Sequence, residues 1–262
     1  MKIDPLYGAR IISFQYKDQE ILATPATSPE CYGSTFWPSP QSSWGWPPLK
    51  SIDSKTYTFT INSKKAIFES QKDSLLGVKV IKTFVPLVNS NEIKVIYEIS
   101  NMTDSTIHLA PWEITRVVPQ EGIVFFPESE EKFEGKNIFG EIKLTQKENC
   151  HFWEYNEKEI DDHKKSFLFS KEGWLAFAKK NLLLIKQFED ISKRQAAQNE
   201  SEIELYANPS KQYIEIEQQG KYAKILPNES IRWSVVWSLH EMAEDANKMS
   251  AKELIKAVYK NR

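Results

Sequence analysis

Residues 231–239, IRWSVVWSL, carry the pattern that decides the fold. Every second position is apolar: Ile231, Trp233, Val235, Trp237 and Leu239. Successive side chains of a β-strand point to opposite faces, so this period of two predicts a strand with one buried face. We therefore expect the indoles of Trp233 and Trp237 to lie in the hydrophobic core.

The same alternation recurs along most of the chain, most clearly in residues 8–16, 56–61 and 92–99. Many short strands separated by polar turns are typical of a β-sandwich or barrel. The strands are too many for a small immunoglobulin-like domain, so we predict an all-β fold of two large antiparallel sheets packed face to face, in one domain over residues 1–262. Further strands are predicted at residues 20–22, 65–69, 77–85, 107–118 with an interruption at Pro111, 123–126, 138–144, 151–155, 166–169, 174–178, 182–188, 202–206, 212–217 and 222–226.

Only the end of the chain has a helical pattern. Residues 250–253, SAKE, fit a capping box, in which a serine and a glutamate satisfy backbone donors at the start of a helix. Leu254, Ile255 and Val258 follow at helical spacing. The sequence therefore predicts one sizeable helix, packed on the sandwich.

Composition excludes several classes of function. A net charge of −2 argues against a nucleic-acid partner bound through phosphate neutralisation. No apolar run is long enough for a membrane span, and the first residues have no apolar signal-peptide core. We therefore expect the chain as given to be cytoplasmic. The alternative is an exported protein that was trimmed for expression. Cys31 and Cys150 match no metal-ligand spacing, and no cofactor motif is present, so we expect neither metal nor cofactor.

Residues 33–48, GSTFWPSPQSSWGWPP, hold three of the eight tryptophans and four of the thirteen prolines. Proline removes backbone donors, which predicts a stiff irregular loop rather than a helix or a central strand. Stiff indole rings suit the C–H faces of a sugar, so Trp37, Trp44 and Trp46 are candidate substrate-binding residues. The alternative is that these rings only cap the end of a core.

Three segments resemble the galactose mutarotase-like proteins, the aldose 1-epimerase superfamily: residues 7–14 (YGARIISF), 93–101 (IKVIYEISN) and 226–230 (LPNES). Residues 37–41, 44–48 and 110–113 resemble one branch of that superfamily. The resemblance implies a β-supersandwich with a sugar-sized cleft across one sheet.

The epimerases of this superfamily use a histidine as general acid and a glutamate as general base. Residues 213–219, YIEIEQQ, resemble the strand that carries the glutamate. Glu215 and Glu217 share one face of that strand, about 7 Å apart, so a dry cleft would raise the pKa of one of them. Which of the two is the base stays open, and the alternative is a solvated strand face.

The expected histidine has no counterpart near residues 111–113, and His108 is the candidate acid in the same segment. Alternation puts Trp112 and Arg116 on one face and Glu113 on the other. We name all three as candidate substrate-binding residues, because an arginine beside indoles can bind hydroxyl pairs or a carboxylate. For Arg116 the alternative is a structural ion pair.

Three functions compete: a sugar-active isomerase, a non-catalytic sugar-binding module, and a scaffold that uses its tryptophans for a protein partner. A small carbohydrate is the partner in the first two, and the oligomeric state stays open. The sharpest prediction is that six side chains converge on one cleft: Trp37, Trp44, Trp46, Trp112, Glu215 and Glu217.

Overall fold

The computed structural model describes residues 1–88 and 90–262. Its α-helices are α1 (Lys50–Asp53) and α2 (Ala251–Asn261). Its strands are β1 (Lys2–Asp4), β2 (Arg10–Ser13), β3 (Gln15–Tyr16), β4 (Gln19–Glu20), β5 (Ser34–Ser39), β6 (Thr58–Ile61), β7 (Ala66–Glu69), β8 (Val78–Pro86), β9 (Glu92–Asn101), β10 (Ile107–Val117), β11 (Gly122–Pro127), β12 (Thr145–Lys147), β13 (Cys150–Glu154), β14 (Lys164–Leu168), β15 (Trp174–Lys179), β16 (Leu182–Gln187), β17 (Ile203–Ala207), β18 (Ile214–Gln219), β19 (Ala223–Ile225) and β20 (Ser230–Glu241).

The strands form two large sheets. The eight-stranded sheet runs β1-β2-β5-β10-β18-β17-β14, with β19 also paired to β10. The ten-stranded sheet runs β12-β13-β11-β15-β16-β20-β9-β8-β7-β6, and β3 and β4 form a separate hairpin. Neighbouring strands are antiparallel, which confirms the predicted all-β architecture of two large antiparallel sheets. That residues 1–262 form one domain stays a prediction.

The main core lies between the inner faces of the two sheets. Trp233 and Trp237 of β20 are buried there, as their alternation predicted. Burial of an aromatic side chain contributes a few kcal/mol through removal of apolar surface from water. The alternating strands therefore meet face to face for the reason expected from the sequence.

The irregular loop predicted for residues 33–48 is wrong for Ser34–Ser39, which form β5, and the break predicted at Pro111 is wrong as well. The remainder of that segment, residues 40–48, holds no strand, as predicted. Strand β5 lies in the middle of its sheet, and Pro38 is paired with Pro111 of a continuous β10. Gly220 N donates to the Pro111 carbonyl from one side, and Trp44 Nε1 donates to the Pro38 carbonyl from the other. The nitrogens of both prolines therefore point away from each other, so the two residues form a non-hydrogen-bonded pair. At such a pair the missing proline N–H removes no hydrogen bond between β5 and β10.

The strand predicted at residues 138–144 is also wrong. Asn137 turns the chain there, because its side chain bonds both the Lys165 carbonyl and the Phe139 amide. A single parallel bridge between Gly140 and Lys164 is the only pairing described for this segment apart from side-chain bonds. The chain therefore follows the edge of β14 without joining its ladder as a strand.

Helix α2 covers the outer face of the ten-stranded sheet. Ser250 and Glu253 form the predicted capping box, and Leu254 and Val258 are buried against strand residues that include Phe125. The predicted C-terminal helix is thus confirmed. Among the described residues, no helix combines the length and the apolar character that crossing a bilayer requires.

Candidate functional site

The candidate site lies on the outer face of the eight-stranded sheet, across β5, β10 and β18. Trp37 of β5 is paired with Trp112 of β10, which in turn faces Gln219 of β18. Four residues further along β10, Arg116 is paired with Glu215. Side chains alternate between the two faces of a strand. These residues therefore share the outer face, while the residues directly before and after each of them face the core.

An aromatic cluster of four indoles covers one part of this face. The ring of Trp37 lies 5.3 Å from Trp112, 5.7 Å from Trp44 and 6.3 Å from Trp46, each edge to face. Trp112 is only 1% exposed, whereas Trp46 is 72% exposed. The four rings therefore pack on one another, and Trp46 presents the open ring of the cluster.

Glu217 joins the aromatic cluster to the charged part of the face. Trp112 Nε1 donates to Glu217 Oε2 at 2.8 Å, and the carboxyl group is 1% exposed. Burial raises the pKa of Glu217 well above its usual value, although Lys165, 3.7 Å from Oε1, opposes the rise. The direction agrees with the upward shift predicted for this residue. Oε1 itself has no hydrogen-bond partner among the described residues.

Lys165 and Glu204 belong to this face and were not recognised in the sequence. Lys165 Nζ lies 2.6 Å from Glu204 Oε2 and 5.4 Å from the Trp112 ring. Burial alone would lower the pKa of Lys165, but Glu204 and Glu217 hold it above its usual value. The alternation of residues 202–206 was the available signal, since it turns Glu204 away from its apolar neighbours Ile203 and Leu205.

The carboxylates of Glu204 and Glu200 extend the charged part of the face towards the loop after β5. Gln219 Nε2 donates to Glu204 Oε1 at 2.7 Å, and the Gln41 amide donates to Glu200 Oε1 at 2.9 Å. Burial and the neighbouring Glu204 raise the pKa of Glu200 to about 8. Buried carboxylates outnumber the lysine that faces them, so this part of the site holds protons readily near neutral pH.

Arg116 and Glu215 form an ion pair at the other end of the face. Arg116 Nε lies 2.8 Å from Glu215 Oε1, and its guanidinium lies 5.7 Å from the Trp37 ring. Burial would lower the pKa of Arg116, but Glu215 holds it above its usual value. The ion pair left open by the sequence is therefore present, while Arg116 Nη1 is buried without a hydrogen-bond partner among the described residues.

Asp53 fixes the orientation of Trp37 from beside the sheet. Its Oδ1 accepts from Trp37 Nε1 and from Thr35 Oγ1, both at 2.9 Å. Burial would raise the pKa of Asp53, but Arg10 at 3.3 Å and the Trp37 hydrogen bond hold it below its usual value. The indole at the centre of the cluster is thus held by a charged acceptor.

Two predicted site residues lie elsewhere. Glu113 points into the sandwich, where it is fully buried and pairs with Lys186 at 2.5 Å, so it is enclosed away from the outer face. His108 is exposed and packs against Tyr222, with ring centroids 5.9 Å apart. Its strand continues beyond Pro111 towards β19, which carries His108 away from the indoles.

Solved structures resemble this architecture, whereas no family model and no curated protein matches the sequence. A galactose mutarotase-like protein from Lactobacillus casei aligns with a TM-score of 0.64 and 11% identity, over 91% of this chain and 96% of that one. A putative aldose 1-epimerase from Escherichia coli aligns at 0.56 and 10%, over 90% and 94%. A galactose mutarotase-like protein from Clostridium acetobutylicum aligns at 0.54 and 12%, over 92% of both chains.

The chain has the galactose mutarotase-like fold. This confirms the fold implied by the sequence resemblance. Sequence identities this low support the shared fold and nothing further. The outer face of the eight-stranded sheet also carries a histidine that the sequence did not single out. His163 Nδ1 is hydrogen-bonded to the Tyr206 hydroxyl, and Tyr206 is paired with Glu215 across β17 and β18.

A cleft formed by the predicted site residues stays a prediction. A cavity of about 650 Å³ lies at the margin of the galactose mutarotase-like sandwich, lined by Phe133, Phe167 and His151 among others. None of the predicted site residues lines it. The indoles and carboxylates share one face, but they contact one another rather than surround that cavity. In the described residues, no group of three or more His, Cys, Asp or Glu side chains is arranged to hold a metal ion.

Proposed function

We propose that the outer face of the eight-stranded sheet binds a carbohydrate. The observation that carries the proposal is the hydrogen bond from Trp112 to Glu217, which joins an aromatic cluster to a buried carboxylate. Sugar sites combine these two features, because indoles stack on C–H faces and carboxylates accept from hydroxyl groups. The names of the similar structures, galactose mutarotase-like protein and putative aldose 1-epimerase, support the same partner class.

Trp46 is the ring on which a sugar would stack, since it is exposed and adjoins Trp37. Glu217 Oε1 and Arg116 Nη1 are buried atoms without hydrogen-bond partners among the described residues. Such atoms are costly to leave unsatisfied, so sugar hydroxyl groups that bonded them would gain free energy. The proposal therefore places the sugar between Trp46 and the Glu217 and Arg116 pair.

A second function is favoured by the pairing of Glu217 with Lys165. A carboxylate with a raised pKa is a stronger base, and the Lys165 ammonium 3.7 Å away is the proton donor within reach, although its own raised pKa makes it a weak acid. Glu217 would take the proton from the anomeric hydroxyl while Lys165 gave one to the ring oxygen, so that the ring opens. Closure on the other carbonyl face would return both protons and interconvert the anomers.

Binding is tested by titrating a panel of neutral, acidic and amino sugars while tryptophan fluorescence is recorded. We expect a saturable change with at least one sugar, lost in Trp46→Ala. Tyr259→Ala is the matched control, because Tyr259 is an exposed aromatic on α2. A flat titration across the panel, or equal responses in both variants, would contradict the binding proposal.

Isomerisation is tested separately, by NMR of anomer exchange for each sugar that binds. Exchange faster than in buffer should fall at least tenfold in Glu217→Gln and in Lys165→Met. Glu98→Gln, on the ten-stranded sheet, should leave the rate unchanged. Buffer rates with a sugar that binds would refute the isomerase and retain the binding module.

A further inference from the structure

Strand β6 is the last strand of the ten-stranded sheet, and among residues 1–88 and 90–262 it has a neighbouring strand on one side only. All four of its residues are exposed, including Phe59 at 56% and Ile61 at 64%. An exposed apolar edge strand is a template for pairing with another strand. The strand contains no proline and no charged side chain that would discourage such pairing.

The backbone of β6 shows which groups are free to pair. Asn62 N donates to Lys65 O, towards β7, and hydrogen-bonding direction alternates along an antiparallel strand. The N–H and C=O groups of Phe59 and Ile61 therefore point away from β7. Tyr57 N already donates to Pro5 O, and the chain turns after Asn62. The free stretch is thus residues 58–62, with Thr60 at its centre.

The side chains of β6 lie partly on the inner face of the sandwich. The Phe59 ring lies 5.9 Å from Phe68, which belongs to the main core. Ile61 is two residues from Phe59 and shares its face. These two side chains continue the core beyond the area that the eight-stranded sheet covers, which explains why apolar residues of an inner face remain exposed.

We propose that β6 pairs antiparallel with β6 of a second copy of this chain, around a two-fold axis through Thr60. In that register Phe59 lies opposite the partner's Ile61, and the outward backbone groups of each meet those of the other. A shift of one residue would set outward groups against inward ones. Backbone direction, the ends of the free stretch and the apolar side chains thus select the same register.

The symmetry and size of this contact define what is expected in solution. A two-fold contact is closed, so it gives a dimer with two ten-stranded sheets joined edge to edge. Five residues from each copy form a small interface, which is typical of dissociation constants in the micromolar range or weaker. The dimer is therefore expected at high protein concentration and is independent of the carbohydrate proposal.

Cysteine crosslinking tests the register. Thr60 would face the partner's Thr60 at a non-hydrogen-bonded pair, with Cα atoms about 4.5 Å apart, within the range of a disulfide. Thr60→Cys should therefore form a disulfide dimer on mild oxidation. Thr58→Cys, on the same face of the strand, is the matched control, because its Cα would lie about 14 Å from that of its counterpart.

Sedimentation equilibrium tests the surface. Ile61→Lys should weaken the dimer at least tenfold, because an ammonium would replace an apolar contact. Leu75→Lys should not, and Leu75 is equally exposed at 64%. A monomer at every concentration would overturn the proposal. A dimer that Ile61→Lys leaves intact would also overturn it. The same holds if Thr60→Cys and Thr58→Cys crosslink equally, or if neither crosslinks.

Discussion

The two outer faces of the sandwich are covered in different ways. The outer face of the ten-stranded sheet is apolar, and α2 covers it with Leu254 and Val258. The outer face of the eight-stranded sheet buries Glu204, Glu217 and Arg116 among indoles, and the described part of the chain has no covering helix of comparable length there. Apolar packing against α2 accounts for the residues of the first face. The second face instead holds charged residues that packing alone does not require.

The difference indicates where function lies. Removing charged groups from water is unfavourable, and ion pairs only partly offset that penalty. A face built for stability alone would use apolar residues of similar volume, as the face under α2 does. Under the proposed function, the buried carboxylates, lysine and arginine of the outer face are the residues that bind the ligand, whereas the buried Glu113–Lys186 pair lies inside the sandwich.

The largest effect is expected from Lys165→Met. This change leaves Glu204 and Glu217 buried without their cation, which typically destabilises a protein by about 3–5 kcal/mol. The loss of unfolding free energy should be smaller at pH 5 than at pH 8, because the carboxyl groups can take up protons at the lower pH. Urea unfolding at the two pH values measures it, and a variant as stable as the parent at pH 8 would show that the cation does not balance this face.

Leu254→Ala sharpens the comparison from the other side. Leu254 is buried under α2, and a change of this kind costs about 3 kcal/mol through lost contacts and a cavity. Because no charge is involved, we expect the same loss at pH 5 and pH 8. A loss that varied strongly with pH would mean that the two faces do not differ as described.

Glu217→Gln isolates a single carboxyl group. The folded-state pKa of Glu217 lies above its usual value of 4.5, so the folded protein holds that proton more tightly. Its stabilising contribution is complete below that pH and is lost as the pH rises through the folded-state pKa. The parent should therefore lose more stability than Glu217→Gln between pH 5 and pH 8, because only the parent carries this carboxyl group, whose proton the folded state holds more tightly than the unfolded state. Parallel pH profiles would contradict the raised pKa.

Trp46→Ala should have the smallest effect on stability. Its ring is mostly exposed, and surface substitutions usually change the free energy of unfolding by less than about 0.5 kcal/mol. Thermal unfolding measures the change. A loss comparable to that of Leu254→Ala would show that Trp46 is a structural part of the cluster instead of its open ring.

Much of the fold followed from local patterns. Alternation at residues 231–239 and the capping box at Ser250 predicted β20 and α2, because each depends on neighbouring residues alone. The predictions of a loop at β5 and a break at Pro111 failed because they considered each strand separately. Pro38 and Pro111 are tolerated in central strands only because they face each other across β5 and β10.

The site was less predictable for a related reason. Trp112, Glu215 and Glu217 were found from their strand patterns and Trp37 from its proline-rich segment, and the four do share one face. Lys165 and Glu204 were missed because their contact with Glu217 depends on the order β18-β17-β14, which no local motif encodes. His108 was selected by its position along the chain, but the strand carries it away from the cluster.

The proposed ligand-binding surface is the outer face of the eight-stranded sheet. Fluorine NMR of protein labelled with 5-fluorotryptophan tests it directly, because the eight tryptophans report on every layer of the sandwich. Trp46 and Trp37 lie on the proposed face, Trp237 lies in the core, and Trp174 lies under α2. A bound sugar should shift the Trp46 and Trp37 resonances and leave that of Trp174 in place. Shifts confined to Trp174, or none with the whole sugar panel, would contradict the account.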